Sequence, residues 1–186
     1  MIWFTADQHF GHEEIISHCQ RPFKNAAEMD RAIIRNFKNM VKPEDTTYFL
    51  GDLTMKGPEH IQQLERIIKQ LPGTKVLILG NHDKLRPFQY VDMGFQSVHT
   101  SLELDTHAMC QWGGATWILN HDPSPACMFP SRIFICGHVH NLFRSCKWAV
   151  NVGVDVWGYS PCSILEVLNV KRGGATNAED APRGEL

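Results

Sequence analysis

The chain has 186 residues, of which 43% are hydrophobic and 20% charged, and its formal net charge is -2. That length predicts one domain with a real core, and the composition excludes a disordered chain. Apolar runs fall far short of the roughly 20 residues a membrane span needs, and the charge balance lacks the basic excess with which proteins track long polyanions.

Met1 leads directly into a strand-like segment with no secretory signal pattern. The six cysteines (Cys19, Cys110, Cys127, Cys136, Cys146 and Cys162) contain no Cys-x-x-Cys spacing. They read as reduced thiols, and the chain as a cytoplasmic protein.

In chain order, residues 2–6 form a short apolar run that reads as a buried strand and ends in Asp7-Gln8-His9. Met29, Ile33, Phe37, Met40 and Val41 recur at helical spacing, which predicts an amphipathic helix over 26–40, stopped by Pro43. Residues 47–51 form a second strand running into Asp52. Pro58 suits a first helical position, Ile61, Leu64, Ile68 and Leu71 make one stripe, and Pro72-Gly73 ends that helix. A third strand, 76–80, leads into Asn81-His82-Asp83. Strand, helix, strand, helix, strand is the pattern of a parallel sheet with right-handed crossovers.

From 96 to 152 the pieces are short, strand-like and separated by turn signals, which predicts a second, more antiparallel sheet packed on the first. Two of its strands also end in ligand-type residues: 117–120 in His121, and 133–137 in His138-Val139-His140. Trp112, Trp117, Trp148 and Trp157 read as core or sheet-face packing rather than a platform for stacking bases. The domain is expected to occupy residues 1–170, with 171–186 a disordered tail of small and charged residues.

Five strand ends therefore each deliver carboxylate, amide or imidazole groups. Ligands bind at the carboxyl ends of strands in open α/β sheets, so one point could receive all of them. Asp7 and His9 share one side of an extended segment, and His138 and His140 have the same spacing. Asp52 has two oxygens and can bridge two ions. With Asn81 and His121 the set reaches seven, too many for one four-coordinate ion and suited to a pair of ions sharing a bridge.

The blocks Asp7-x-His9, Gly51-Asp52, Gly80-Asn81-His82-Asp83, His121 and Gly137-His138-Val139-His140 occur in the order of the calcineurin-like metallophosphoesterases, which the chain resembles over about residues 1–155. The resemblance implies a four-layer α/β/β/α sandwich of two mixed β-sheets. It implies two divalent metal ions, with manganese favoured and iron, zinc, nickel or cobalt able to serve. Asp7, His9, Asp52 and His140 would hold one ion, and Asp52, Asn81, His121 and His138 the other. A hydroxide bridging the metals would attack phosphorus, and His82 would protonate the leaving oxygen, a role that suits imidazole near neutral pH.

Met55 stands where the family's Ser/Thr protein phosphatases carry an Asp that orients the catalytic histidine. That departure, with the short chain, argues against a protein phosphatase. The chain looks closer to small prokaryotic and phage members, and a small nucleotide-like or other phosphodiester is the expected substrate, with a phosphomonoester as the alternative. A non-catalytic scaffold of the same fold usually loses ligands, whereas all seven and His82 are present here. His12 and Arg21 are further candidates for touching substrate, although Arg21 fits a surface ion pair better. His18, His60, His99 and His107 have no partner pattern and read as structural. Neither a membrane nor a long nucleic acid is an expected partner, and oligomeric state is not readable.

Overall fold

The computed structural model describes residues 1–54, 61–104, 116–129 and 131–173. Its first sheet contains β1 (Ile2–Thr5), β2 (Thr46–Phe49), β3 (Thr74–Ile78), β4 (Ser97–His99) and β9 (Cys162–Ser163) in the order β4-β3-β2-β1-β9. All its pairings are parallel except β1 with β9. The second sheet has the order β5-β6-β7-β8, with β5 (Leu102–Leu104), β6 (Thr116–Leu119), β7 (Arg132–Cys136) and β8 (Ala149–Asn151).

The expectation of a more antiparallel second sheet is corrected here. Only β5 pairs antiparallel to β6, whereas β6–β7 and β7–β8 are parallel. The crossover from β6 to β7 uses a 3₁₀ turn over Ser124–Met128, and the one from β7 to β8 is a loop. Parallel pairing needs a crossover but not a helical one, so the missing helical period misled the reading.

The helices follow local chemistry. Helix α2 (Ala26–Met40) starts where the extended Asn25 accepts the Glu28 N–H at 2.8 Å, a side-chain N-cap. Met29, Ile33 and Phe37 lie buried along its inner face. Helix α3 (Ile61–Gln70) buries Leu64, Ile67 and Ile68; its proposed start at Pro58 lies outside the described residues. Three helices had no sequence expectation: α1 (Glu14–His18), α4 (Pro87–Met93) and α5 (Ile164–Arg172). Helix α5 opens with a capping box in which Ser163 and Glu166 satisfy each other's backbone N–H groups. It runs two residues past the expected start of the tail, and Lys171 donates to the Cys146 carbonyl at 2.9 Å. From residue 174 onward the tail lies outside the described residues.

These elements make layers. Between α1–α4 and the first sheet lies a core including Met29, Ile33, Phe37, Phe49, Leu64, Ile68, Leu77 and Tyr90. Between the sheets lies a second core of Phe4, Leu50, Ile78, Trp117, Leu119, Ile135, Val150 and Val152, which α5 closes with Val167 and Leu168. The outer face of the second sheet is covered more thinly, by the 3₁₀ turn and the segment around Phe143 and Trp148 over Ile118, Phe134 and Ala149. This is the α/β/β/α plan with two mixed sheets, its fourth layer reduced among the described residues to the 3₁₀ turn and the segment beside it.

Trp117, Trp148 and Trp157 all pack within these cores, and Trp112 lies outside the described residues. The five described cysteines are free thiols, and among the described residues no helix is long and apolar enough to cross a membrane.

Ile68 is fully buried in the first core, away from the strand ends. Ile68→Ala should lower stability by about 2–5 kcal/mol through lost burial and the cavity left behind. A urea unfolding curve reads this as a lower midpoint at unchanged slope.

Candidate metal centre

The sheets meet along a seam at their strand ends. Asp7 and His9 follow β1, Asp52 follows β2, and Asn81 and His82 follow β3. His121 follows β6, and His138 and His140 follow β7. Backbone bonds stitch the blocks together. Asp7 N–H donates to Gly51 O (3.0 Å), His9 N–H to Asp52 O (3.0 Å), and Gly137 N–H to His121 O (3.0 Å).

Convergence does not arise from strand alternation, as the spacing suggested. Asp7, His9, Asp52, His138 and His140 all have positive φ, between 45° and 71°. A left-handed residue turns the chain after β1, β2 and β7, so the paired ligands there reach inward from kinked rather than extended backbone. Such φ values are uncommon outside glycine and cluster at functional sites.

Two glycines let the blocks approach. A Cβ on Gly80 would collide with the Asp52 carboxylate and backbone nitrogen, and one on Gly137 would lie 2.6 Å from Ala6 Cβ and 2.8 Å from Asp7 Oδ2.

Donor atoms fall into two groups, each compact enough for one ion: Asp7, His9 and His140, and Asp52, His121 and His138. Asp52 Oδ2 lies between them, 3.3 Å from His121 Nε2, 3.9 Å from His9 Nε2 and 4.0 Å from His82 Nε2. Asn81 Oδ1 completes the second group, 3.0 Å from both His121 Nε2 and His138 Nδ1. The structure thus brings together all seven proposed ligands and His82. His12 stands at the edge, its ring 5.6 Å from that of His9 and its Nε2 3.2 Å from Glu14 Oε2.

The electrostatics fit a cation pair. Asp7 is fully buried, and burial raises its pKa to about 6 against the lowering influence of His140, His121 and the His138 N–H. Burial also pushes Asp52 up, but His121, the His82 N–H and His9 outweigh it and hold the carboxyl at about 2. Burial lowers His121 and His140 as well, yet Asp52 and Asp7 bring the first up to about 9, and Asp155, Cys19 and Asp7 bring the second to about 10. Two imidazolium ions therefore stand where positive charge is demanded. His9 is the complement: burial and His140 press its pKa to about 2, and neither ring nitrogen has a hydrogen-bond partner among the described residues. A buried neutral imidazole with an unengaged lone pair fits a metal ion.

A further shell orients these ligands. His121 Nδ1 donates to Leu50 O at 2.6 Å, which leaves Nε2 for an ion. His140 Nδ1 lies 3.1 Å from Asp155 Oδ2. The Asp83 carboxylate accepts from the backbone N–H groups of Gly80, Asp52 and Leu53 at 2.8–3.1 Å, tying the second block to the third. The Asn151 side chain donates to His140 O (2.7 Å) and accepts from Gly153 N–H (2.8 Å).

Arg21 corrects its expectation on both counts, since it neither reaches for substrate nor forms a surface pair. Its side chain is 0% exposed, forks onto both Asp155 oxygens at 2.8 Å, and donates to Asp7 O and Gln8 O. Sequence reading missed Asp155, Asn151 and the supporting part of Asp83. Asp83 stood within a recognised block, but Asp155 follows an eighth strand that ends in no ligand. His18 was also passed over, and its ring lies 6.4 Å from that of His140. His99, by contrast, pairs locally with Ser97 at 2.9 Å, and His60 and His107 lie outside the described residues.

Residues 1–157 match the family profile described as calcineurin-like phosphoesterase. The chain belongs to that family. It is 32% identical to an uncharacterized protein of Methanocaldococcus jannaschii over 92% of each sequence. It is 27% identical to the gene 66 protein of Mycobacterium phage L5, over 84% of this chain and 87% of that protein. A crystal structure of a protein of unknown function from Aquifex aeolicus superposes with a TM-score of 0.71 at 27% identity, covering 91% of this chain and 98% of that one. The phosphoesterase fold thus carries a site whose side chains suit divalent ions.

Three outcomes follow for this phosphoesterase. His121 and His140 have folded pKa values of about 9 and about 10 against an ordinary 6.5. The metal-free folded chain therefore holds protons that the unfolded chain releases. The contribution of these two histidines to stability should be fully present below pH 6.5 and fall as pH rises through 9 to 10, read as a Tm that declines over that range in chelator. Divalent metal must displace those protons, so its affinity should rise over the same range, with proton release measurable by calorimetry in buffers of differing ionisation enthalpy. Separately, Asp155→Asn should weaken metal affinity by about 10–100-fold, as expected when a ligand histidine loses its orienting carboxylate, read by competition with a chelating dye.

Proposed function

We propose that the chain is a dinuclear metal-dependent phosphodiesterase acting on a small, nucleotide-like phosphodiester. The observation that carries this reading is Asp52 Oδ2 placed between two three-residue donor groups, Asp7–His9–His140 and Asp52–His121–His138. Two divalent cations held there, manganese foremost, would polarise the phosphoryl oxygens and acidify a water for attack.

The chain's own residues supply the rest. His82 is 34% exposed at the mouth of the cleft, with its ring 5.9 Å from that of His9. From the solvent side it would meet a phosphoryl group and donate a proton to the departing oxygen. Its backbone N–H donates to Asp52 Oδ1 at 2.9 Å, so the acid and the bridging carboxylate keep a fixed separation. Asp7 and Asp52 are sealed from water, which strengthens every charge interaction inside the site.

Choice of a diester rests on two features of the sequence. Met55 cannot orient His82 as the protein phosphatases' carboxylate orients its counterpart, and it lies outside the described residues. The net charge of -2 gives no basic excess for a long polyanion. A cytoplasmic setting agrees with the free thiols.

With manganese, the chain should hydrolyse an aryl phosphodiester faster than the matching monoester. His82→Ala should lower kcat by about 10²–10⁴-fold, the usual share of a general acid, and Asp52→Asn should abolish turnover and reduce bound manganese. A ratio strongly favouring the monoester would replace the diester reading with a phosphomonoesterase. A manganese-loaded chain inert towards both esters would remove the catalytic reading altogether.

A further inference from the structure

Sharing His140 with the Asp7–His9–His140 group, a third compact donor group comprises Cys19, His140 and Asp155, with one ligand atom from each lying within 4.8 Å of the others. Nothing in the phosphoesterase reading uses Cys19. It caps the C-terminus of α1, its N–H bonded to Ile15 O at 2.9 Å, and its carbonyl accepts from Asn141 Nδ2 at 3.4 Å. Cys19 is 6% exposed and the Asp155 side chain 2%, so little water competes for either.

We propose that Cys19, His140 and Asp155 form a separate site for one thiophilic divalent cation of the zinc class, and that this site competes with the dinuclear centre for His140. The proposal rests on the reading that His140 serves that centre.

Sulfur decides the class of ion. A thiolate favours zinc or cadmium over manganese or magnesium, which prefer oxygen. Cysteine, histidine and carboxylate ligands bind zinc at ~2.0–2.3 Å, so the donors of one tetrahedral ion lie roughly 3.3–3.8 Å apart. The group needs only a modest contraction to reach that spacing.

Charge also permits it. Thiolate and carboxylate bring two negative charges, of which the Arg21 guanidinium on Asp155 offsets one. Asp155 stays available despite that pair. Each of its oxygens takes one Arg21 N–H at 2.8 Å and keeps a second lone pair, and Oδ2 already faces His140 Nδ1 at 3.1 Å. The cation would take the place of the proton shared between those two atoms.

Competition follows from proton bookkeeping. A neutral imidazole carries a lone pair on one nitrogen at a time. When the thiophilic ion binds, the His140 Nδ1 proton and the Cys19 S–H proton both pass to solvent as the N–metal and S–metal bonds form, and the remaining ring proton stays on Nε2. With Nε2 protonated, His140 has no lone pair left for the dinuclear centre. A thiophilic ion would thus withdraw one ligand from the first ion's group without touching the bridge.

Cobalt(II) added to the metal-free full-length chain tests this. It should give a thiolate-to-cobalt charge-transfer absorption that Cys19→Ser and Cys19→Ala both lose. In the unaltered chain, zinc should slow alkylation of Cys19, followed by peptide mass spectrometry, by about tenfold or more, because a metal-bound thiolate is a poor nucleophile for the reagent. Manganese at the same concentration should not. Cys19→Ser should still take up two manganese ions per chain, which checks the dinuclear reading independently. Absence of manganese uptake in both proteins would count against that reading. Cobalt–thiolate absorption undiminished in both variants, or zinc that leaves Cys19 alkylation unchanged, would overturn the competing site.

Discussion

Asp7 and Asp52 carry carboxylate charge to a seam where water cannot hydrate it, with 0% and 1% of each residue exposed. An ionised carboxylate buried without compensation is among the most unfavourable features a fold can contain. The surroundings of these two side chains read as answers to that problem. Backbone N–H groups of His138 and His82 point at the oxygens, His121 stands against Asp52, and His140 carries positive charge towards Asp7. The two carboxylates nevertheless differ in acidity. Asp52 faces three imidazoles and stays ionised, whereas burial dominates at Asp7 and lifts it to about 6. Divalent ions would resolve both at once, returning His121 and His140 to neutral ligands.

The backbone shows what that arrangement costs. Five of the seven proposed ligands sit at positive φ, a conformation unfavourable by up to the order of 1–3 kcal/mol for a non-glycine residue. Asp and His tolerate it better than branched or bulky residues. The strain is held directly beyond strands whose last residues are buried, such as Phe49 and Cys136. Two cores on either side of the first sheet supply the burial that offsets it. The site is thereby rigid before any ion arrives, since its ligands cannot relax without unmaking bonds such as Asp7 N–H to Gly51 O.

The elements legible in the sequence were those governed by local period or local chemistry. Helix α2 kept its predicted bounds because its stripe and the Pro43 stop are sequence-local. Strands β1, β2, β3, β6 and β7 lay within a residue or two of their apolar runs. Every ligand block was visible for the same reason, since each directly follows such a run. The missed features depend on distant partners. Arg21 and Asp155 are 134 positions apart, and nothing in either neighbourhood signals that a guanidinium will be buried against a carboxylate. The parallel pairing of β6 with β7 was hidden because a five-residue 3₁₀ turn replaces the expected crossover helix. The left-handed residues were equally hidden, since Asp and His do not announce positive φ as glycine does.

Arg21 shows how a centre built from remote blocks is kept in register. Its guanidinium serves four oxygen acceptors, namely both oxygens of Asp155 and the carbonyls of Asp7 and Gln8, and also donates to Met29 Sδ. Those groups come from opposite ends of the site, for Asp7 follows the first strand of one sheet and Asp155 follows the last strand of the other. Asp155 then holds the His140 ring, so one rigid planar cation fixes the distance between Asp7 and His140, two ligands of one proposed ion. A lysine could supply the charge but not the four directed N–H groups. The buried position that denies Arg21 a substrate therefore gives it a different task, that of setting the spacing across the seam on which metal geometry depends.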